Sequence, residues 1–196
     1  MPRKSLANER REQLLNAFER CIVKYGLEAT SLEQVADEAG MTRSIIRHYI
    51  GNRDDLVGAL VERRLRESAQ LLEAKYTGLS PTDSVQLTLD TMFAAAPSID
   101  ERDRVILEII FTTKGHYPRA KAMLRQAFED LVRSFATELR HVYPQATYKR
   151  CMQVSYAIIC MSEMNEAFMW LGMPQRYNAH AREIAESLLK TLGRPD

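Results

Sequence analysis

At 196 residues, 45% hydrophobic and 27% charged, the chain has the length and make-up of an ordinary globular protein that can bury a core. A net charge of +1 carries no global signature of a nucleic-acid or membrane-surface protein, so any such function must rest on local placement. Cys21, Cys151 and Cys160 form no CxxC pair, the start from Met1 to Arg11 lacks an apolar leader segment, and no window approaches the roughly 18 apolar residues of a membrane span. These features argue against a secreted disulfide framework, a zinc site and a membrane-spanning helix, and a cytoplasmic protein without metal or cofactor is expected.

The apolar pattern is helical nearly throughout. From Glu9 to Tyr25, the residues Leu14, Phe18, Ile22 and Tyr25 recur on one helical face, and Gly26 supplies a stop. Ser31 followed by Gln34 reads as a capping box for a short helix with Leu32, Val35, Ala36 and Ala39 inward. Gly40 ends it. Thr42 is the next cap, and Ile45, Ile46 and Tyr49 form the apolar side of a third short helix. After Gly51, Asn52 or Asp54 caps a fourth that runs on to about Lys75. The Thr77–Pro81 stretch reads as a linker. Five further helices are expected over about 82–96, 100–114, 118–143, 147–171 and 177–192. The fold class is all-α, with about nine helices. We place an N-terminal helix-turn-helix domain at 1–53 and a C-terminal helical ligand-binding and dimerisation domain at 54–196.

The segment from Ser31 to Asn52 is the informative one. Two short helices meet around Gly40, with small Ala36 where the backbones must approach. The second helix keeps a polar outer face of Thr42, Arg43, Ser44 and Arg47. Such a face suits a recognition helix, with donors and acceptors for base edges and cations for phosphates. A plain helical hairpin with a solvated face would share the pattern. The basic arm of Arg3, Lys4, Arg10 and Arg11 ahead of the motif and the long helical region that follows both favour double-stranded DNA as partner.

The detailed wording resembles the TetR-type (TetR/AcrR) transcriptional repressors over roughly residues 9–65. The matching text is Tyr25-Gly26, Thr30-Ser31-Leu32, Val35-Ala36, Ala39 through Ile50, and Asn52 through Leu56. The run Ile45-Ile46-x-His48-Tyr49 is similar to the choline-responsive, betaine-pathway branch. The chain departs from the usual text at Arg47, Ile50, Arg53 and Ser44, where many members carry Tyr, Phe, Lys and Gly. The resemblance implies a homodimer on a palindromic operator, released by a small-molecule effector. Arg43 is then expected to read a base directly, with Thr42 and Ser44 as neighbouring polar contacts. Arg47, Tyr49 and Arg53 would hold phosphates, and Ser31 would offer its hydroxyl and backbone N–H to another. His48 is read more as packing against the domain than as a base reader, and Tyr49 as divided between core and phosphate.

In the C-terminal part, the resemblance implies that the last two helices pair with their symmetry mates. Val154, Ile158, Met161, Phe168, Ile184, Leu188, Leu189 and Leu192 stand at helical spacing there; the same faces would also serve as intramolecular core. A ligand pocket is expected among Met92, Phe93, Phe111, Tyr117, Phe128, Tyr156, Glu163 and Trp170. Most such residues are ordinary packing, but Glu163 and Glu166 in an otherwise apolar helix suit a cationic ligand held by ion pairing and cation–π contact. A hydrophobic effector is the other option, and the two carboxylates fit a dimer interface or an ordinary surface at least as well.

Catalysis is not expected. His48, His116, His141 and His180 fall in no metal-binding register, no P-loop, GxGxxG or GxSxG is present, and Cys160 reads as an inert core thiol. The remaining alternatives are a helical ligand-binding or adaptor protein without sequence-specific DNA binding, and a nucleoid binder without sequence preference. Intact Arg43, Arg47 and Arg53 speak against the first.

Overall fold

The structure, a computed structural model, describes residues 2–94, 105, 109 and 116–193, with side chains from Leu6 onward. Among these residues it is all-helical, and its chain divides into two compact units, with the boundaries at 71/72 and 126/127 falling inside long helices. The first unit comprises 1–71 and 99–126, the second 72–98 and 127–196. The helices are α1 (Pro2–Tyr25), α2 (Leu32–Glu38), α3 (Arg43–Tyr49), α4 (Arg53–Tyr76), α5 (Pro81–Met92), α6 (Pro118–Val142), α7 (Tyr148–Trp170) and α8 (Arg176–Thr191). Val105 and Ile109 are also helical; the rest of the helix expected at 100–114 lies outside the described residues, as do Ala95 and Ala96 at the end of the one before it.

In the first unit, α2 and α3 both pack on α1 and on each other. Leu14, Phe18, Ile22, Val35, Ile46, Leu56 and Leu60 are sealed in its core, together with Val105, Ile109, Tyr117, Ala120 and Leu124. Tyr25, expected on the inner face of α1, is exposed instead. Helix α1 also begins at Pro2 rather than near Glu9, so the basic stretch is helical and not an arm. Nothing between Pro2 and Gly26 breaks a helix, and a proline is tolerated in the first turn, where its missing N–H has no intrahelical partner anyway.

The turns are set by local chemistry. Ser31 Oγ accepts from Gln34 N at 3.1 Å while Gln34 Oε1 accepts from Ser31 N at 2.7 Å, closing the expected capping box. Asn52 and Asp55 make the same reciprocal pair at the head of α4, both at 3.0 Å. Gly40 has φ +63°, a left-handed conformation that lets Met41 N reach back to Ala36 O at 2.9 Å and turns the chain into α3.

In the second unit, α7 packs on α8 and on α5 around Leu89, Phe93, Phe135, Leu139, Val154, Ile158, Ala185 and Leu189. A buried amide pair threads this core. Asn165 Nδ2 donates to Asn178 Oδ1 at 2.6 Å, and Asn178 Nδ2 donates to Phe93 O and Ala94 O at 3.0 and 3.1 Å. Carbonyls left over at the end of α5 are thus satisfied from α8. Cys160, read from the sequence as a core thiol, is exposed.

Candidate nucleic-acid interface

Helix α3 is short, and only one of its residues, Ile46, is fully buried. Ile45 and Tyr49 lean on the same core. A helix pinned by that one stripe must turn its remaining positions outward, and Thr42, Arg43, Ser44, Arg47 and His48 are all exposed. Thr42 Oγ1 and Ser44 Oγ lie 2.8 Å apart, so the Thr42 hydroxyl points sideways instead of capping the helix. Arg43, Ser44 and Arg47 wall a shallow hollow of about 390 Å³. Two cations and two hydroxyls on one exposed edge form an arrangement suited to the negatively charged floor and walls of a DNA groove.

Arg47 has no hydrogen bond or ion pair among the described residues, whereas Arg43 Nη1 is ion-paired with Glu33 Oε1 on α2. The sequence reading missed Glu33. It stands in the first turn of a helix, where an acid is ordinary dipole chemistry, and its ten-residue separation from Arg43 gives no local signal.

His48 is exposed and not packed against the domain; it meets Tyr49 edge-on at 4.8 Å between ring centroids, and Tyr49 is the half-buried member of the pair. Ser31 is partly open to solvent, but its backbone N–H is already given to Gln34, leaving only the hydroxyl to donate outward. Arg53 departs furthest from expectation. Its Nε donates to Tyr117 Oη at 2.7 Å, and its two terminal nitrogens donate to the carbonyls of Thr30 and Leu27. It ties the α1–α2 turn to Tyr117 instead of presenting a free edge to a phosphate. Arg3 and Lys4 stand on the first turn of α1, with side chains outside the described residues.

The residues expected to line a ligand pocket are divided between the two units. Tyr117 belongs to the core of the first unit. In the second unit, Phe93 is buried and Met92 and Phe128 lean on the same core. Tyr156, Glu163 and Trp170 follow one another at seven-residue intervals along α7, on the side away from buried Ile158. Tyr156 is 62% exposed and Trp170 37%, while Glu163 is half-buried, and desolvation pushes its carboxyl above the ordinary range. Phe111 lies outside the described residues. The described residues hold no cluster of three or more metal-ligating side chains, and no helix among them is long and apolar enough to cross a membrane.

The family model described as "Bacterial regulatory proteins, tetR family" matches residues 14–60, a span that runs from within α1 through the capped hairpin into α4. Among curated proteins, the HTH-type transcriptional regulator BetI of Stenotrophomonas maltophilia is 29% identical over 153 residues, covering 74% of this chain and 76% of that protein. Among solved structures, a TetR transcription regulator from Haloarcula marismortui aligns at TM-score 0.79 and 15% identity, over 94% of this chain and 98% of that one. A transcriptional regulator from Saccharomonospora viridis, solved in complex with choline, aligns at TM-score 0.77 and 14% identity, over 93% and 96%. At such low identity the two structures establish a shared fold.

Proposed function

We propose that this chain is a member of the tetR family of bacterial regulatory proteins, a cytoplasmic repressor that binds a palindromic operator as a homodimer and is released by a small-molecule effector. The observation that supports DNA recognition is the outward edge of α3, where Arg43, Ser44 and Arg47 stand exposed above buried Ile46. Arg43 is the base reader, with guanine as the matching partner because its O6 and N7 accept a two-pronged guanidinium. Arg47, unpaired among the described residues, holds phosphate, as do the hydroxyls of Ser31 and Thr42. Two copies are needed because half-sites one helical turn apart require two recognition helices. The helix-turn-helix domain of residues 1–53 supplies the reading head. The remainder, 54–196, supplies dimerisation and the effector site, and α4 is the lever through which effector binding shifts the population away from the DNA-competent conformer.

For the effector, a small cation of the quaternary ammonium type is the favoured class. The BetI-named relative, the fold likeness to a regulator that holds choline, and the Ile45-Ile46-x-His48-Tyr49 wording support it.

Selection of bound fragments from the host genome, followed by titration on the winning site, tests the reading. A dimer that neutralises about 6–10 phosphates gives a slope of log affinity against log salt on the order of −5 to −9. Arg43→Ala costs about 1–3 kcal/mol and relaxes one base position per half-site, whereas Arg47→Ala weakens all sequences alike and flattens the slope by about 1 for each phosphate no longer held. Equal binding of every fragment, or an Arg43→Ala protein with unchanged preference, defeats it.

A further inference from the structure

The ion pair between α2 and α3 has no evident duty in folding. Its two side chains are 53% and 58% exposed, and pairs so open to water contribute little to stability. Yet it engages one nitrogen of the arginine that stands at the head of the reading helix. Glu33 Oε1 takes Arg43 Nη1, and Nε and Nη2 have no partner among the described residues. Those two nitrogens form one of the two edges by which a planar guanidinium can meet O6 and N7 of guanine in a two-pronged contact, and the other edge includes the Nη1 that Glu33 holds.

We infer that Glu33 is a positioning residue for base readout: it fixes the Arg43 guanidinium so that its Nε/Nη2 edge is presented to the groove before DNA arrives. The inference rests on the reading of Arg43 proposed above. An unrestrained arginine loses much side-chain freedom when it docks on one base, and it can swing to a phosphate instead. A carboxylate anchored on a neighbouring helix removes that freedom in advance and makes the phosphate option less accessible. The same negative charge lies beside the path of a polyanion, so it lowers affinity for every sequence. Glu33 therefore exchanges general affinity for discrimination, in the way fixed charges set specificity at other charged interfaces.

The test is a double-mutant cycle on the selected operator, with Arg43→Ala, Glu33→Ala and the pair together. The readout is the ratio of Kd for the operator changed at the Arg43-dependent position to Kd for the intact operator, measured at two salt concentrations. Glu33→Ala is expected to tighten binding to unrelated DNA by several-fold and to lower that ratio by about two- to fivefold, the range open to an exposed ion pair. In the Arg43→Ala background, removing Glu33 is expected to leave the ratio where it is. Unchanged discrimination in Glu33→Ala overturns the inference, and so does a loss of equal size in both backgrounds, which marks a merely structural effect. If Arg43→Ala itself leaves discrimination intact, base readout by Arg43 fails first and Glu33 positioning with it. If Arg43→Ala abolishes discrimination while Glu33→Ala does not, only the positioning inference fails.

Discussion

Arg43 and Arg53 stand alike in the sequence, each at the start of a helix after a break, and the fold treats them oppositely. Arg43 is turned out to Glu33 and solvent, while Arg53 is turned in to the carbonyls of the α1–α2 turn and to Tyr117. Buried or half-buried carbonyls without a partner are costly, and a guanidinium with five donors is well suited to satisfy several together. Glu163 illustrates a second residue-scale effect. Burial raises its pKa, so the folded state favours the neutral acid. Its stabilising contribution is therefore full below the unfolded value, about 4.3, and is lost as pH rises through the raised folded value. Glu163→Gln is expected to melt at a higher temperature than the parent protein near neutral pH, and the difference should close below about pH 4. Thermal melts across that range check it; a constant offset at all pH values contradicts it.

At the scale of helices, caps and stops were the legible part. Ser31–Gln34, Asn52–Asp55 and Gly40 act at short range, and each does in the structure what its neighbours require. What fastens α1 to α4 was not legible. Arg63 is 5% exposed and pairs with Glu12 at 3.0 Å and Glu19 at 2.5 Å, with Asn16 at 2.8 Å beside them. These partners lie more than forty residues away, on a face of α1 that looks in sequence like an ordinary charged surface. Arg63→Ala would leave Glu19, 11% exposed, with only Arg64 at 2.8 Å among the described residues, and should destabilise the protein by about 3 kcal/mol. Denaturant titration measures this. Combining Arg63→Met with Glu19→Gln should recover most of the loss, because no buried charge is then stranded.

For the whole molecule, the question is what covers α7 and α8. Phe168 is 46% exposed, Leu171 79% and Ile184 55%, large apolar side chains on or beside the last two helices that a second copy could cover. The residues expected on a pairing face divide, with Val154 and Ile158 buried in the second unit's own core while Phe168 and Ile184 remain outside. If these helices meet a second copy, Ile184→Glu should convert a dimer to a monomer by light scattering at micromolar concentration. It should also weaken operator binding by about 100-fold or more, because each reading head then binds without its tethered mate. A dimer that survives with full affinity places the pairing surface elsewhere.

The amino-acid sequence alone determined the helical class, the order and ends of most helices, and the hairpin that offers Arg43 and Arg47. All of these depend on apolar period and on caps within four or five residues, which chain neighbours settle among themselves. Only the tertiary structure decided that Arg53 faces inward, that Glu33 holds Arg43, and that Tyr117 and Glu163 belong to different surroundings. Arg53 and Tyr117 are 64 residues apart. Which of two similar arginines meets a carbonyl, a carboxylate or water depends on where distant segments come to rest, and no local pattern records that.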